Sequence, residues 1–280
     1  MWPPISVTYA RPLVLAAILA VVVSAAVSSA AGPLVAAHRG GSALWPENSL
    51  LAFRNAIALG VAFLETDVHL TADGEVVVMH DPTLDRTSTG RGAIRDAKLA
   101  DLAAVRLRAA DGTVTEERVP TLAQLLDLLA PSQVRLLLEI KIGADRARYP
   151  GVEEKVLALV RARGLIDRVV IMAFETPTVE RIRALDAGVR TALLVSRTRV
   201  ERSGGPAREA VRWTTEAKAT ELGIDHRALD AAVVAAARAA GVRVAAWTVN
   251  EEADLRRVIG LGVDLVISDR PDLARRLVQE

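Results

Sequence analysis

Two pairs of charged residues sit at a spacing of two within short apolar runs: Glu65 with Asp67 in Val61–Val68, and Glu139 with Lys141 in Val134–Lys141. In an extended strand, residues two apart point to the same face, so each pair presents both groups together. Two further apolar runs end in imidazoles. Leu34–His38 closes on His38, which Arg39 follows, and the run from Val76 to Met79 leads into His80. If the ends of these runs meet, three carboxylates share a partly desolvated pocket, where they repel one another strongly unless a cation neutralises them. The chain contains no Cys, so ligation falls to oxygen and imidazole, and oxygen ligands favour Mg²⁺ or Ca²⁺. Glu65, Asp67 and Glu139 are the expected metal ligands. Imidazole exchanges protons near neutral pH, and His38 and His80 are the expected acid and base on opposite sides of a phosphorus atom. Arg39 and Lys141 would balance phosphate oxygens. Such a constellation asks for an anionic substrate that reacts by proton-assisted displacement, with the metal stabilising the developing charge.

Convergence of these groups demands a particular frame. From Gly32 onward, apolar β-branched runs alternate with Ala/Leu/Arg-rich segments of helical period, as in repeated βα units around a parallel sheet. The predicted strands are Leu34–His38, Val61–Val68, Val134–Lys141, Arg168–Phe174, Arg190–Val195, Ala219–Ile224, Val242–Val249 and Val263–Ser268. The predicted helices are Ser49–Leu59, Leu122–Leu129, Val152–Arg163, Pro177–Ala187, Arg208–Lys218, Leu229–Ala240, Glu251–Ile259 and Pro271–Val278. Strand and helix counts match an α/β fold of the TIM (β/α)₈ type, whose catalytic groups gather at the C-terminal ends of the strands. The stretch Asp81–Pro120 is too long for a simple βα loop and reads as a small insertion over the barrel mouth after the second strand, about residues 82–120. A separate domain of that size would lack an independent core.

Composition narrows the partners. Lys plus Arg number 35 against 34 Asp plus Glu, a net charge of +1 that provides no basic field for nucleic acid. At the N-terminus, Arg11 precedes the apolar stretch Leu13–Val23, which continues through small residues to Ala31. Residues 1–31 read as a secretory signal or a membrane anchor, giving an exported protein, secreted or held at the cell envelope. Residues 32–280 form the barrel domain.

The strings HRGGSALWPENS (His38–Ser49), ETDV (Glu65–Val68), MHDPTLDRTSTGRG (Met79–Gly92), LEIK (Leu138–Lys141), PTL (Pro120–Leu122), AWTVN (Ala246–Asn250) and VDLVISDRPD (Val263–Asp272) together resemble the glycerophosphodiester phosphodiesterase family, over nearly all of residues 32–280. That resemblance implies hydrolysis of glycerophosphodiesters to sn-glycerol 3-phosphate and an alcohol with a divalent cation. Carried over by motif, His38 and His80 become the acid–base pair, Glu65, Asp67 and Glu139 the metal ligands, and Arg39 and Lys141 phosphate contacts. Glu47 and Asn48 match the family's Glu-Asn pair, with Glu47 near the metal or the glycerol hydroxyls, and Phe174 closes the fourth strand. In the implied mechanism the glycerol hydroxyl beside the ester attacks phosphorus, and water opens the cyclic phosphate. Ala173 stands where the family usually has a small hydroxyl residue, which implies one hydrogen bond fewer near the site. The segment Arg197–Trp213 matches no motif and is expected to shape the leaving-group side.

Alternatives stand beside these readings. The same barrel could serve a phospholipase C- or D-like cleavage of lipid head groups, which needs an exposed apolar rim, or a non-catalytic phosphate-ester binding protein, which would lack one of the acid, base or ligand positions. Trp247 is either core packing or a wall for glycerol or head group. Lys141 could be a Schiff-base lysine, but neighbouring carboxylates would hold its amine charged. His69 and His226 read as structural, and Thr87–Gly92 lacks the ending of a phosphate-binding P-loop.

Overall fold

Runs of Val, Leu, Ile and Ala buried on both faces make the strands, as a parallel sheet covered by helices requires. The computed structural model describes residues 32–280 together with Met1 and Pro3, so the expected leader over residues 1–31 lies, but for those two, outside the described residues. The chain runs through β1 (Leu34–Ala37), α1 (Leu50–Leu59), β2 (Phe63–Leu70) and β3 (Val76–Val78) into α2 (Leu99–Leu102), β4 (Arg106–Arg108) and β5 (Val114–Arg118). It continues with α3 (Leu122–Leu129), β6 (Arg135–Ile140), α4 (Val152–Arg161), β7 (Val169–Ala173), α5 (Thr176–Leu185), β8 (Arg190–Val195), α6 (Arg197–Ser203) and α7 (Glu209–Glu216). The last elements are β9 (Glu221–Asp225), α8 (Ala231–Ala239), β10 (Arg243–Trp247), α9 (Glu252–Leu261), β11 (Leu265–Ser268) and α10 (Pro271–Val278).

Strands β1, β2, β6, β7, β8, β9, β10 and β11 pair in parallel, and β1 pairs with both β11 and β2, which closes an eight-stranded TIM barrel. Small and large side chains share the barrel interior, among them Ala36, Phe63, Leu137, Met172, Ala192 and Ile267. Gly223 belongs to this economy of space: a Cβ there would stand 2.5 Å from Leu194 Cδ2. Outside the strands, two apolar layers seal the helices onto the barrel, one centred on α1, α3 and α4 and the other on α7 to α10.

The second strand departs from the expected Val61–Val68. It starts at Phe63 and runs on to Leu70, because β3 folds back antiparallel and pairs Val68, His69 and Leu70 with Val78, Val77 and Val76. This reversal carries His80 back toward the barrel mouth. The insertion beyond it holds a β4–β5 hairpin and packs Leu84, Ile94, Leu102, Leu107 and Val119 against Val77 of β3 and Met79, a small apolar cluster shared with the barrel rather than an independent core. Within Arg197–Trp213 the chain forms α6, capped by the Ser196 hydroxyl, an element that sequence periodicity did not disclose. Among the described residues no helix is long and apolar enough to cross a membrane.

Candidate active site

The site is assembled by strand register. Asp67 of β2 lies opposite Glu139 of β6, and Glu65 stands two residues before Asp67 on the same face. Ligand oxygens of Glu65, Asp67 and Glu139 all come within 4.8 Å of one another, and all three residues are buried. On the other side, Ala37 of β1 pairs with Ser268 of β11, so the residues that follow them, His38 and Asp269, are neighbours. His38 is not the last residue of the strand, as expected, but the first of a tight turn, His38–Gly40. Arg39, Gly40 and Gly41 take successive positive φ angles of 51°, 81° and 100°, and Asn48 one of 57°. Left-handed backbone is uncommon outside glycine and collects where a site constrains the chain. Here it turns the Arg39 amide onto Glu65 Oε2 at 2.8 Å and lets Asn48 point inward.

Each imidazole is held by its own carboxylate. His38 Nδ1 lies 2.6 Å from Asp269 Oδ1, and His80 Nδ1 lies 2.7 Å from Asp81 Oδ1. A carboxylate only accepts, so the proton of a neutral ring must sit on Nδ1, leaving Nε2 as the exchanging atom. Asp269 also accepts from Ser42 Oγ and Asn250 Nδ2. Asp81 also accepts from Arg86, whose guanidinium reaches Glu47 as well, with Nη2 2.9 Å from Glu47 Oε1. Arg39 Nη1 donates to the same Glu47 oxygen at 3.2 Å.

Burial acts on all these groups. It pushes the Glu65 carboxyl up to about 8, reinforced by the Asp67 charge, and the Glu139 carboxyl up to about 7 against the pull of Lys141. Asp67 resists the same burial because Lys141, His80 and Arg39 surround it, and it stays well below the usual carboxylate range. Lys141 is driven upward despite burial by Glu139 and Asp67, which keeps it an ammonium and disfavours Schiff-base chemistry. For His38, burial is outweighed by Glu65 and Asp269, and its basicity rises. For His80, burial prevails, aided by Lys141, and its basicity falls.

The three acids fit a hard divalent ion. Asp67 Oδ1 is buried and makes no hydrogen bond among the described residues, although Lys141 Nζ stands 3.4 Å away. Among the described residues Glu139 pairs with the Lys141 ammonium alone, at 2.8 Å. A buried acceptor left short of a donor, beside two carboxyls that burial raises and one that stays charged, is what such a cation would relieve.

A cavity of about 90 Å³ opens over these groups, lined by His38, Arg39, Glu65, His80, Glu139 and Lys141, with Phe174 and Trp247 on its wall. The two rings meet edge to face, centroids 5.5 Å apart. A larger concavity, about 460 Å³, lies between α1, β5 and α3, but no imidazole lines it and none of the site residues reaches it. The structure therefore gathers the expected acid–base pair, ligands and phosphate contacts at one mouth. Two expected substrate contacts are placed differently. Asn48 is spent within the protein, its Nδ2 donating to Asp67 and its Oδ1 accepting from Thr66, because its backbone turns the amide under β2. Glu47 is engaged by Arg39 and Arg86 rather than the cavity. Ala173 packs outward in the barrel–helix layer, so a hydroxyl there would not face the site. Residues 197–213 do not line the mouth cavity. His69 supports from behind, bridging the Tyr149 hydroxyl and the His80 carbonyl, and burial holds it at about 4 and hence neutral. His226 lies on a surface turn beside Arg257.

Sequence reasoning missed Asp269, Asp81, Arg86 and Asn250 as supporting groups. Asp81 follows His80 directly, Asn250 ends AWTVN and Asp269 lies within VDLVISDRPD; the β1–β11 register is the signal that joins Asp269 to His38.

Barrel and mouth together define a class: a TIM-barrel enzyme of phosphoric diester hydrolysis. Its sequence places it further. The Glycerophosphoryl diester phosphodiesterase family model matches residues 38–273. A glycerophosphodiester phosphodiesterase of Caldanaerobacter subterraneus subsp. tengcongensis is 33% identical over 248 residues, covering 88% of this chain and 98% of the relative. The structure of a glycerophosphodiester phosphodiesterase from Thermotoga maritima superposes with a TM-score of 0.69 at 26% identity, over 88% of this chain and 98% of the other. An Oleispira antarctica phosphodiesterase, solved with the product sn-glycerol-3-phosphate, superposes with a TM-score of 0.72 at 26% identity, over 89% and 98%. The chain belongs to the glycerophosphoryl diester phosphodiesterase family.

Proposed function

We propose that this enzyme hydrolyses glycerophosphodiesters to sn-glycerol 3-phosphate and an alcohol, with Mg²⁺ or Ca²⁺ held by Glu65, Asp67 and Glu139. The observation that carries the reading is the meeting of three buried carboxylates within 4.8 Å, under a cavity that both His38 and His80 line. The product held by the Oleispira phosphodiesterase supports the choice of substrate. When bound, the ion supplies positive charge against the acids and the phosphoryl oxygens. Arg39 and Lys141 orient the phosphate. One imidazole takes the proton of the glycerol hydroxyl beside the ester as its oxygen attacks phosphorus, and the other protonates the departing alcohol oxygen. With the roles exchanged, the same pair delivers water to open the cyclic phosphate. Phe174 and Trp247 exclude water from the reacting groups.

Among the described residues the exposed large apolar side chains are Met1 and Val114, which offers no apolar rim for work at a lipid surface. Export through residues 1–31 is part of the same proposal, supported by the apolar stretch Leu13–Val23; N-terminal sequencing of secreted protein checks it.

Purified enzyme given glycerophosphocholine with Mg²⁺ or Ca²⁺ is expected to release glycerol 3-phosphate, and a chelator or His38→Ala to abolish release. Full activity under either condition overturns the mechanism. Equal cleavage of an analogue lacking the adjacent hydroxyl overturns the cyclic route.

A further inference from the structure

The mouth cavity, about 90 Å³, is small beside the few hundred Å³ that usually enclose a small ligand. One half of a diester must therefore extend beyond it. The glycerol half cannot, since its hydroxyl has to reach phosphorus between the imidazoles.

A second cavity of about 320 Å³ is walled by Ser42, Glu47, Arg86, Thr87, Arg108 and Gly112. It abuts the supports of both imidazoles. Ser42 donates to Asp269, the partner of His38, and Arg86 donates to Asp81, the partner of His80. Its charges do not cancel. Glu47 and Asp81 are met by Arg39 and Arg86, whereas Arg108 forms no ion pair among the described residues. Arg108 ends β4, on the insertion, and two carbonyls fix its guanidinium: Nε donates to Ser88 at 3.0 Å and Nη1 to Gly112 at 3.1 Å. Backbone carbonyls orient a guanidinium without neutralising it, and its remaining N–H groups stay available to an anion.

We propose that this cavity receives the alcohol half of the substrate and that Arg108 selects alcohols bearing an anionic group. The assignment rests on the hydrolase reading above and adds its leaving-group specificity. It also moves that specificity from residues 197–213, expected from sequence, to the insertion.

Glycerophosphoserine and glycerophosphoethanolamine differ by one carboxylate, so the ratio of their kcat/KM values isolates the contact. At low salt the full-length enzyme with saturating Mg²⁺ is expected to favour the serine ester by roughly tenfold, the size of one charge-assisted contact at a partly exposed site. Arg108→Gln should bring the ratio near one, Arg108→Lys should retain part of it, and raised salt should weaken it. A wild-type ratio near one, or a preference that survives in Arg108→Gln, overturns the assignment. Turnover of the ethanolamine ester shows in each variant that fold and chemistry persist. Failure of the wild type on both esters instead overturns the hydrolase reading, and this assignment with it.

Discussion

His38 Nδ1 and Asp269 Oδ1 lie 2.6 Å apart although 231 positions separate them in the chain. The contact follows from closure of the barrel, since β1 and β11 pair in parallel up to Ala37 and Ser268. Asp269 is in turn held by Ser42 on Oδ1 and Asn250 on Oδ2, so the imidazole is oriented by a carboxylate bonded at both oxygens. Asp269→Asn keeps the shape but loses the charge that supports a protonated ring. It is expected to lower kcat by about 10²-fold, the lower end of what acid–base catalysis contributes, with little change in KM. Steady-state kinetics check this, and an unchanged kcat would remove the positioning role.

Arg86 spans Asp81 and Glu47 with three nitrogens. A lysine offers one point charge in place of that planar fork and cannot hold both carboxylates in register. Arg86→Lys is therefore expected to lower kcat/KM about tenfold, through loss of His80 orientation, while circular dichroism stays native. Wild-type kinetics in this variant would show that the insertion does not position His80.

Stability without metal should fall as pH rises. Burial raises the folded-state carboxyl of Glu65 from 4.5 to about 8 and that of Glu139 from 4.5 to about 7. Between those limits the folded chain binds more protons than the unfolded chain, so the slope of unfolding free energy against pH is negative. Chelated protein is expected to lose melting temperature from pH 5 to pH 8, and Mg²⁺ or Ca²⁺ to restore it and release protons on binding. Thermal scans and calorimetry in two buffers of different ionisation enthalpy test it. A melting temperature that rises over this range, or cation binding without proton release, would contradict the placement of the acids.

The barrel's outer layer offers a control away from the site. Leu126 of α3 is fully buried among apolar neighbours, and Leu126→Ala is expected to cost about 2–5 kcal/mol of stability. Urea unfolding measures the loss, and KM for the native fraction should hold. A loss under about 1 kcal/mol would mean the layer repacks around the cavity.

How much could be read in the residues alone varies with the range of the interaction. Ser49 capping α1 and Gly60 ending it with a φ of 80° are local events, and residue type marks them. Spacing of two placed Glu65 and Asp67 on one face because strand geometry has that period. The hairpin and short helix of the insertion were illegible, since Asp81–Pro120 is polar, rich in turns, and held together by a few scattered apolar residues rather than by a periodic face.

The chain order of apolar runs determined a barrel, and the types and spacing of its strand-end residues determined which groups would gather at its mouth, because both depend on backbone period and side-chain chemistry. Tertiary structure alone decided what each group leans on. Asp269 reaches His38 only when the sheet closes, Arg86 reaches Glu47 only when the insertion folds back, and Asn48 turns to Asp67 only under a left-handed backbone. Such pairings depend on register and burial across distant segments, which no local pattern encodes.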